Sequence, residues 1–586
     1  MIGKIILFII LLSLVLLVIF RNKFLPQTKI NNKIKLSNDE NKIFSFTGGG
    51  FRAICVHTGI LKGLKNRQKS QLSDELKKYS IISGNSGGSW FASLLTYSDT
   101  YFNSILNDNG SFTYRDYMNN AYKNIKLNYN ESKIVKEILK YAPFNETIRK
   151  ILYLSKHPWQ ITVKNIVFDP IGDVSNKMVS DNTNNLNHTI VWSTNISRMS
   201  LLNDNYGYIM NNPDCEGNLD ECGISFPATF TWDLTKKSCN DKFYNGNNEN
   251  GSFITCGNYD KNGNIYNTTV SNVFKQISKP TLPNTLVSDV SSASGAAAGL
   301  VSDLMSLQDI TTKLHIKYLT SYLVEDLSKK FQFTGIAAKV DNNGIKFMED
   351  GLIPNDMTCK DNFIRLFDGG YSDNTSIAHA IAVWQNKHGI NGVCNIININ
   401  DIPDSKDFEQ KQGFKKTSNE ISWLFGNVSE KVINYIGNKN IDLFVEKPVI
   451  FAEEDFSKGR CLWWGKCLGT SEVQCLDDDN CFAELAVNLY QTTTIENKSF
   501  GISAGTKVNL FVLQTDTQKA PIFILPTPTQ DDIETIDNYV KTCDAVTTLV
   551  NKIEDNVFNA VFNNGPIPDT KYDKKYCSNY PLIECN

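Results

Sequence analysis

The sequence predicts an α/β fold: a mainly parallel central sheet flanked by helices, with a long insertion and an N-terminal hydrophobic helix. Three observations predict it. Short apolar runs end in glycine-rich turns and pass directly into helix-patterned segments, as in "KIFSFTGGGFRAICVHTGI" and "YSIISGNSGGSWFASLLTYS". Strand–turn–helix units that recur in this way favour parallel pairing with helices on both faces. The chain has 586 residues, 41% hydrophobic and 11% aromatic, enough for a large core. No fixed-period repeat interrupts the pattern.

The first element is Ile5–Phe20, "IILFIILLSLVLLVIF", apolar except for Ser13. As a helix it is about 24 Å long, a little short of a roughly 30 Å hydrocarbon core. Arg21 and Lys23 stand at its boundary, and the bulky Val18, Ile19 and Phe20 leave no small-x-small cleavage site. Residues 1–23 are therefore expected to form a transmembrane anchor, with a cleaved signal segment as the alternative. Residues 24–40 read as a polar linker and 41–586 as the folded domain. The positive charge after the run, Arg21 to Lys35, favours a cytoplasmic domain. The 14 cysteines favour the opposite side. Most fall in local groups, Cys215 to Cys256, Cys461 to Cys481, and Cys577 with Cys585, in Gly/Asn/Asp-rich loops suited to disulfide staples. No C-x-x-C pair exists and histidine is scarce, which argues against zinc. The domain is expected on the lumenal or extracellular side, either anchored or secreted after cleavage, with a cytoplasmic-facing domain as the other alternative. Ten N-x-S/T sequons, Asn109, Asn145 and Asn267 among them, are close to chance in so Asn-rich a chain.

Within the domain, Lys42 begins a strand that runs into the Gly48–Gly50 loop. Residues 51–66 follow as a helix with Ile54, Thr58 and Leu61 at helical spacing. A second strand near Ser80–Ser83 leads through a tight turn to a helix that starts at Ser86. Residues 100–285, long and Asn-rich, read as an insertion or cap. "SDVSSASGAAAGLVSDLM" reads as a small-residue turn into a helix, and "FIRLFDGGYSDNTSIAHAIA" as strand, Asp-Gly-Gly turn and helix. "CNIININDIPD", "KVNLFVLQ" and "APIFILP" alternate like strands. The formal charge of −3 gives no electrostatic argument for nucleic acid as a partner.

Ser86 lies in "GNSGG", a G-x-S-x-G context that places a serine on a sharp strand-to-helix turn, where helix N–H groups favour negative charge. A plain Gly/Ser turn is the bland alternative. "TGGG", Thr47–Gly50, supplies backbone N–H donors that approach a developing oxyanion with no side chain in the way. It lacks the G-K-S/T of a nucleotide loop and the spacing of G-x-G-x-x-G. A serine nucleophile needs a base. Asp368 follows an apolar strand and precedes two glycines, and the helical pattern after it counts against a hairpin turn. A Ser–Asp–His triad through His379 or His388 has the right chain order. Both histidines, however, fall on or just past the following helix.

"TGGGFRA", "SGNSGGSW" and "FDGG", in this order, resemble the catalytic domain of the cytosolic phospholipase A2 and lysophospholipase (phospholipase B) family, with patatin more distant. The resemblance is dense over 43–98 and again over 364–404, where "CNIININDIPD" is similar to the family's strand ending in an Asp. "SSASGAAAG" is similar to its small-residue segment. The resemblance implies a patatin/cytosolic phospholipase-like fold with Ser86 as nucleophile and Asp368 as general base. It also implies Gly49 and Gly50 as oxyanion donors, and Arg52 stabilising the substrate phosphate or the site itself. It implies a phospholipid or lysophospholipid substrate met at a membrane surface, an acyl-enzyme, and no cofactor or metal. An acyltransferase using the same dyad and a catalytically silent, lipid-binding membrane glycoprotein are the alternatives. The calcium-dependent lipid-binding module of the animal enzymes is not expected upstream of residue 43. "YDKNGN", Tyr259–Asn264, reads as a plain turn rather than a calcium loop. "CLDDDNC" reads as a disulfide-closed acidic loop.

Overall fold

The computed structural model describes residues 42–68, 70–129, 157–181, 186–197, 225–234, 258–259, 265–266, 285–296, 336–341, 344–347, 363–402, 419–426, 448–468, 481–497, 500–517, 519–522, 532–568 and 583–584. Asn41–Asn586 form one compact unit. The expected anchor and polar linker lie outside the described residues. Among those described, no helix is long and apolar enough to cross a membrane.

The strands are β1 (Lys42–Phe46), β2 (Tyr79–Asn85), β3 (Thr189–Ser197), β4 (Ser225–Asp233), β5 (Asn258–Tyr259), β6 (Ile265–Tyr266), β7 (Ile336–Asp341), β8 (Gly344–Phe347), β9 (Phe363–Asp368), β10 (Val393–Ile402), β11 (Arg460–Leu468), β12 (Cys481–Thr493), β13 (Lys507–Asp516) and β14 (Ile583–Glu584). The helices of eight or more residues are α1 (Gly50–Arg67), α2 (Gly87–Tyr97), α3 (Tyr114–Asn128), α4 (Val287–Ser294), α5 (Ile377–His388), α6 (Asp532–Lys552) and α7 (Asp555–Phe562). The main sheet runs β14-β11-β12-β13-β10-β1-β2-β3-β9-β7-β8, with β4 also on β3.

Its centre, β13-β10-β1-β2-β3, is parallel. Both wings are largely antiparallel. The sheet is therefore mixed rather than mainly parallel. For β7 and β8 the reason is connection length: two residues join them, too few for the crossover that parallel neighbours need. β9 also departs from the expected pattern: it feeds a helical segment, as parallel strands do, yet pairs antiparallel with β3.

All five residues of β1 are buried, because helices cover both faces of the sheet. Phe46 packs against Phe91 of α2 and His57 of α1. Ser45, its neighbour on the strand, points the other way and donates to the Thr375 carbonyl at the approach to α5.

Residues 100–285, expected as an insertion or cap, contribute a strand to the middle of this sheet. β3 lies between β2 and β9. In the segment read as a small-residue turn into a helix, the serine-rich start is itself helical: α4 covers Val287–Ser294 and ends at Gly295; residues 297–305, where the helix was expected, lie outside the described residues. The described part of "APIFILP", residues 520–522, is not strand; the Ile522 carbonyl accepts the Phe51 N–H at the start of α1. β5 and β6 pair antiparallel; of "YDKNGN" only Tyr259, the last residue of β5, is among the described residues. "CLDDDNC" lies outside the described residues but for Cys481, the first residue of β12.

Among the described residues Cys55, Cys394 and Cys543 are free, buried thiols. None of the three belongs to the loop groups. Cys461, which does, is disulfide-bonded.

Candidate active site

Four strands deliver the site. β1 runs into Thr47–Gly50, β2 ends at Asn85 beside Ser86, β9 ends at Asp368, and β10 carries Asp401 near its end. Thr47 fixes the glycine loop to β10: its N–H and hydroxyl both donate to the Ile399 carbonyl, at 3.1 and 2.9 Å, and its Oγ1 accepts the Asp401 N–H at 3.1 Å.

Ser86 has φ 49° and ψ −126°, in the positive-φ region that non-glycine residues rarely enter. The surroundings hold it there. Its N–H donates to the Ser294 carbonyl at 3.2 Å and to Ser294 Oγ at 3.1 Å, and its carbonyl accepts the N–H groups of Ser89 and Trp90 in the first turn of α2. The elbow tolerates no side chains around it. A Cβ on Gly87 would lie 2.5 Å from the Gly50 nitrogen, and one on Gly88 would lie 2.2 Å from the Phe46 carbonyl oxygen. These glycines let the two loops lie backbone against backbone.

Asp368 reaches Ser86 through sheet register. β3 pairs parallel with β2, Asn85 opposite Ser193, and antiparallel with β9, Thr194 opposite Asp368. One intervening strand thus sets nucleophile and carboxylate at the same height. The Ser86 hydroxyl lies near enough to the Asp368 carboxylate to favour its ionised form. Oδ1 of that carboxylate accepts the Gly370 N–H at 2.8 Å and Asn85 Nδ2 at 3.1 Å. Its main-chain oxygen accepts Asn195 Nδ2 at 2.7 Å, and its N–H donates to the Ala296 carbonyl. Burial pushes the Asp368 carboxyl up to about 6, against the opposing pull of the Gly370, Ser86 and Asn85 donors.

Gly49 and Gly50 have φ of 143° and 58°. Among the described residues their N–H groups have no acceptor, whereas the flanking Gly48 and Phe51 donate to the Asn374 and Ile522 carbonyls. Arg52 is buried, and its Nε meets Asp401 Oδ2 at 2.5 Å. Burial raises the Asp401 carboxyl, against the lowering effect of Arg52. Thr517 Oγ1 donates to the other oxygen at 3.1 Å.

The triad alternative is not assembled. His379 Nδ1 bonds Thr229 Oγ1 at 2.8 Å on β4, its ring packs on Phe500, and burial lowers it to about 3. The His388 ring, at the end of α5, lies tilted against Trp384 with centroids 5.1 Å apart. The carboxylate that a triad would aim at histidine instead faces serine and amide donors.

Four residues absent from the sequence-derived set complete the cluster: Asn85, Asn195, Ser294 and Asn374. The signal for Asn85 was its place alone, between Gly84 and Ser86 at the end of β2. Asp373 contributes indirectly. Its carboxylate accepts from Thr375 and from the Ala378 N–H, holding the start of α5 in place.

Residues 44–156 match the family model described as the lysophospholipase catalytic domain. That stretch contains the glycine loop and the Ser86 elbow, so motif resemblance and family model agree there. No curated protein matches the chain. Among solved structures, human GIVD cytosolic phospholipase A2 is similar at 13% identity over 62% of this chain, with a TM-score of 0.28. The chain covers 46% of that protein's length.

Proposed function

We propose, taking the lysophospholipase-type match over 44–156 as premise, that this protein is a serine acyl hydrolase of phospholipids or lysophospholipids. The observation that carries the reading is the register that sets the strained Ser86 beside the buried Asp368 carboxylate, with two open glycine N–H groups on the neighbouring loop. In this reading Asp368 takes the Ser86 proton as Oγ attacks the fatty-acyl carbonyl. The N–H groups of Gly49 and Gly50 receive the oxyanion. The intermediate collapses, and Asp368 gives its proton to the departing alkoxide. Water then attacks the acyl-enzyme, again losing its proton to Asp368, and the fatty acid leaves as Ser86 Oγ regains a proton.

Fatty-acid release from mixed phosphatidylcholine and lysophosphatidylcholine vesicles tests this. Ser86→Ala and Asp368→Asn should each reduce kcat by at least about 10³-fold. Asp368 must be ionised to act as base, so the wild-type rate should rise through an acid limb centred near 6. Release by Ser86→Ala equal to wild type would remove the proposed nucleophile.

For location, we read residues 41–586 as lumenal or extracellular, tethered by the apolar segment near the N-terminus. The bonded state of Cys461 supports an oxidising compartment. Electrophoretic mobility of protein taken from cells should change on reduction; identical mobility with and without reductant would favour the cytoplasmic alternative.

A further inference from the structure

We propose that Asn85 is a positioning residue of this site: its Nδ2 holds the Asp368 carboxylate in the orientation that meets the Ser86 hydroxyl. The proposal rests on the reading of Ser86 and Asp368 as the reacting pair. Asn85 is fully buried, the last residue of β2 and the one before the elbow. Nδ2 donates to Asp368 Oδ1 at 3.1 Å and to Asn374 Oδ1 at 3.0 Å. Turning the amide over would set its oxygen against two other oxygens, so the donor orientation is fixed electrostatically. Held this way, its own Oδ1 is buried without a hydrogen-bond partner among the described residues. Leaving a buried acceptor unmade costs about 1–3 kcal/mol, and a residue needed only for packing would have no cause to bear it.

The glycines of two separate motifs make room for this amide pair. A Cβ on Gly48 would lie 2.2 Å from Asn374 Oδ1 and 3.1 Å from Asn85 Nδ2. One on Gly369 would lie 2.4 Å from Asn85 Oδ1. One on Gly370 would lie 3.0 Å from Asn85 Nδ2, Asn374 Oδ1 and Asp368 Oδ1 alike. The first glycine of the loop and both glycines after the aspartate therefore enclose the amides as closely as the reacting groups. The main-chain carbonyl of Asn374 in turn accepts the Gly48 N–H of the loop at 3.0 Å. One amide pair thus connects the glycine loop, the elbow and the aspartate turn.

The test is the pH dependence of kcat for the full chain carrying Asn85→Asp or Asn85→Leu, with KM measured alongside. A packing role ranks leucine as the worse change, because aspartate keeps the shape of asparagine. The proposal ranks aspartate as the worse, because it replaces a donor with a second carboxylate beside Asp368. The acid limb should move up by about one pH unit for leucine and by more for aspartate, with KM unchanged. Activity of Asn85→Leu should recover at higher pH. Asn374→Ala, at a half-buried position, serves if the Asn85 variants do not fold, and should shift the limb the same way by less. An unmoved limb in the variants that fold overturns the proposal. Ser86→Ala run in parallel separates the two failures: retained release there refutes the dyad, whereas a silent Ser86→Ala with an unmoved limb refutes only the role of Asn85.

Discussion

Arg52 sits at the third position of the helix that follows the glycine loop, yet its charge is directed back to Asp401 on β10. A buried ion pair is costly to assemble and costlier to break on one side, by about 3–5 kcal/mol, because the remaining charge is left uncompensated. Here the consequence is also local. A Cβ on Gly49 would lie 3.1 Å from Asp401 Oδ2, so the proposed oxyanion loop rests directly on the acid that Arg52 neutralises. Arg52→Ala should therefore lower both stability in urea and kcat, and Asp401→Ala should do the same from the other side. The double variant should be less damaging to stability than the two single losses added together. Lysine at position 52 restores the charge but not the fixed Nε–H geometry, and should recover stability more fully than activity. If Arg52→Ala raised KM alone, with stability intact, a role on the substrate phosphate would replace the one argued here.

At the scale of elements, what was legible in the sequence followed what is local. Ser86 and Asp368 stood out because each lies where a strand stops and glycines follow, a pattern complete within about ten residues. α1, α5, β10 and β13 fall where periodicity put them. β3 did not stand out, although it alone sets the register between the two residues of the proposed dyad. Its sequence, "TIVWSTNIS", turns polar in the half that matters, and an Asn-rich neighbourhood conceals it. In the structure Ser193, Thr194 and Asn195 are buried and bonded. Thr194 Oγ1 donates to the Ala293 carbonyl at 3.1 Å, Ser193 pairs with Ser376, and Asn195 holds the Asp368 carbonyl. Hydropathy cannot distinguish a satisfied buried polar strand from a loop, because the partners that satisfy it are remote in sequence. Asn195 also lies in one of the ten sequons. With its Nδ2 committed to Asp368 and its side chain buried, it is closed to glycosylation in the folded protein. Strand direction was illegible for the same reason as β3. A strand–turn–helix unit indicates where a strand ends, and only the remote neighbour fixes whether it pairs parallel or antiparallel.

Across the whole molecule, the start of the folded unit is closed by its end. α1 and α6 run side by side in the same direction: Cys55 Sγ donates to the Tyr539 carbonyl, Gly59 faces Cys543 and Val546, and Gly63 faces Val550. At the far end Arg67 donates to the Asn551 and Ile553 carbonyls, pairs with Asp555 and lies over the Phe558 ring. Lys42, at the first residue of β1, donates to the Phe562 carbonyl at 2.9 Å. The seam depends on the missing side chain at Gly63. A Cβ there would lie 2.5 Å from Val550 Cβ and 3.0 Å from the Thr547 carbonyl oxygen, and a backbone oxygen cannot rotate aside. Gly63→Val should therefore force the two helices apart and destabilise the protein by about 1–3 kcal/mol, read from the urea midpoint at unchanged slope. The opposite end of α1 carries Gly49, Gly50 and Arg52, so displacement of the helix should also reduce kcat well below the unfolding midpoint. Val550→Ala in the same chain opens the space the new side chain needs and should recover part of both losses. A midpoint unmoved by Gly63→Val would mean that the seam yields, and that the C-terminal helices cover α1 without bracing it.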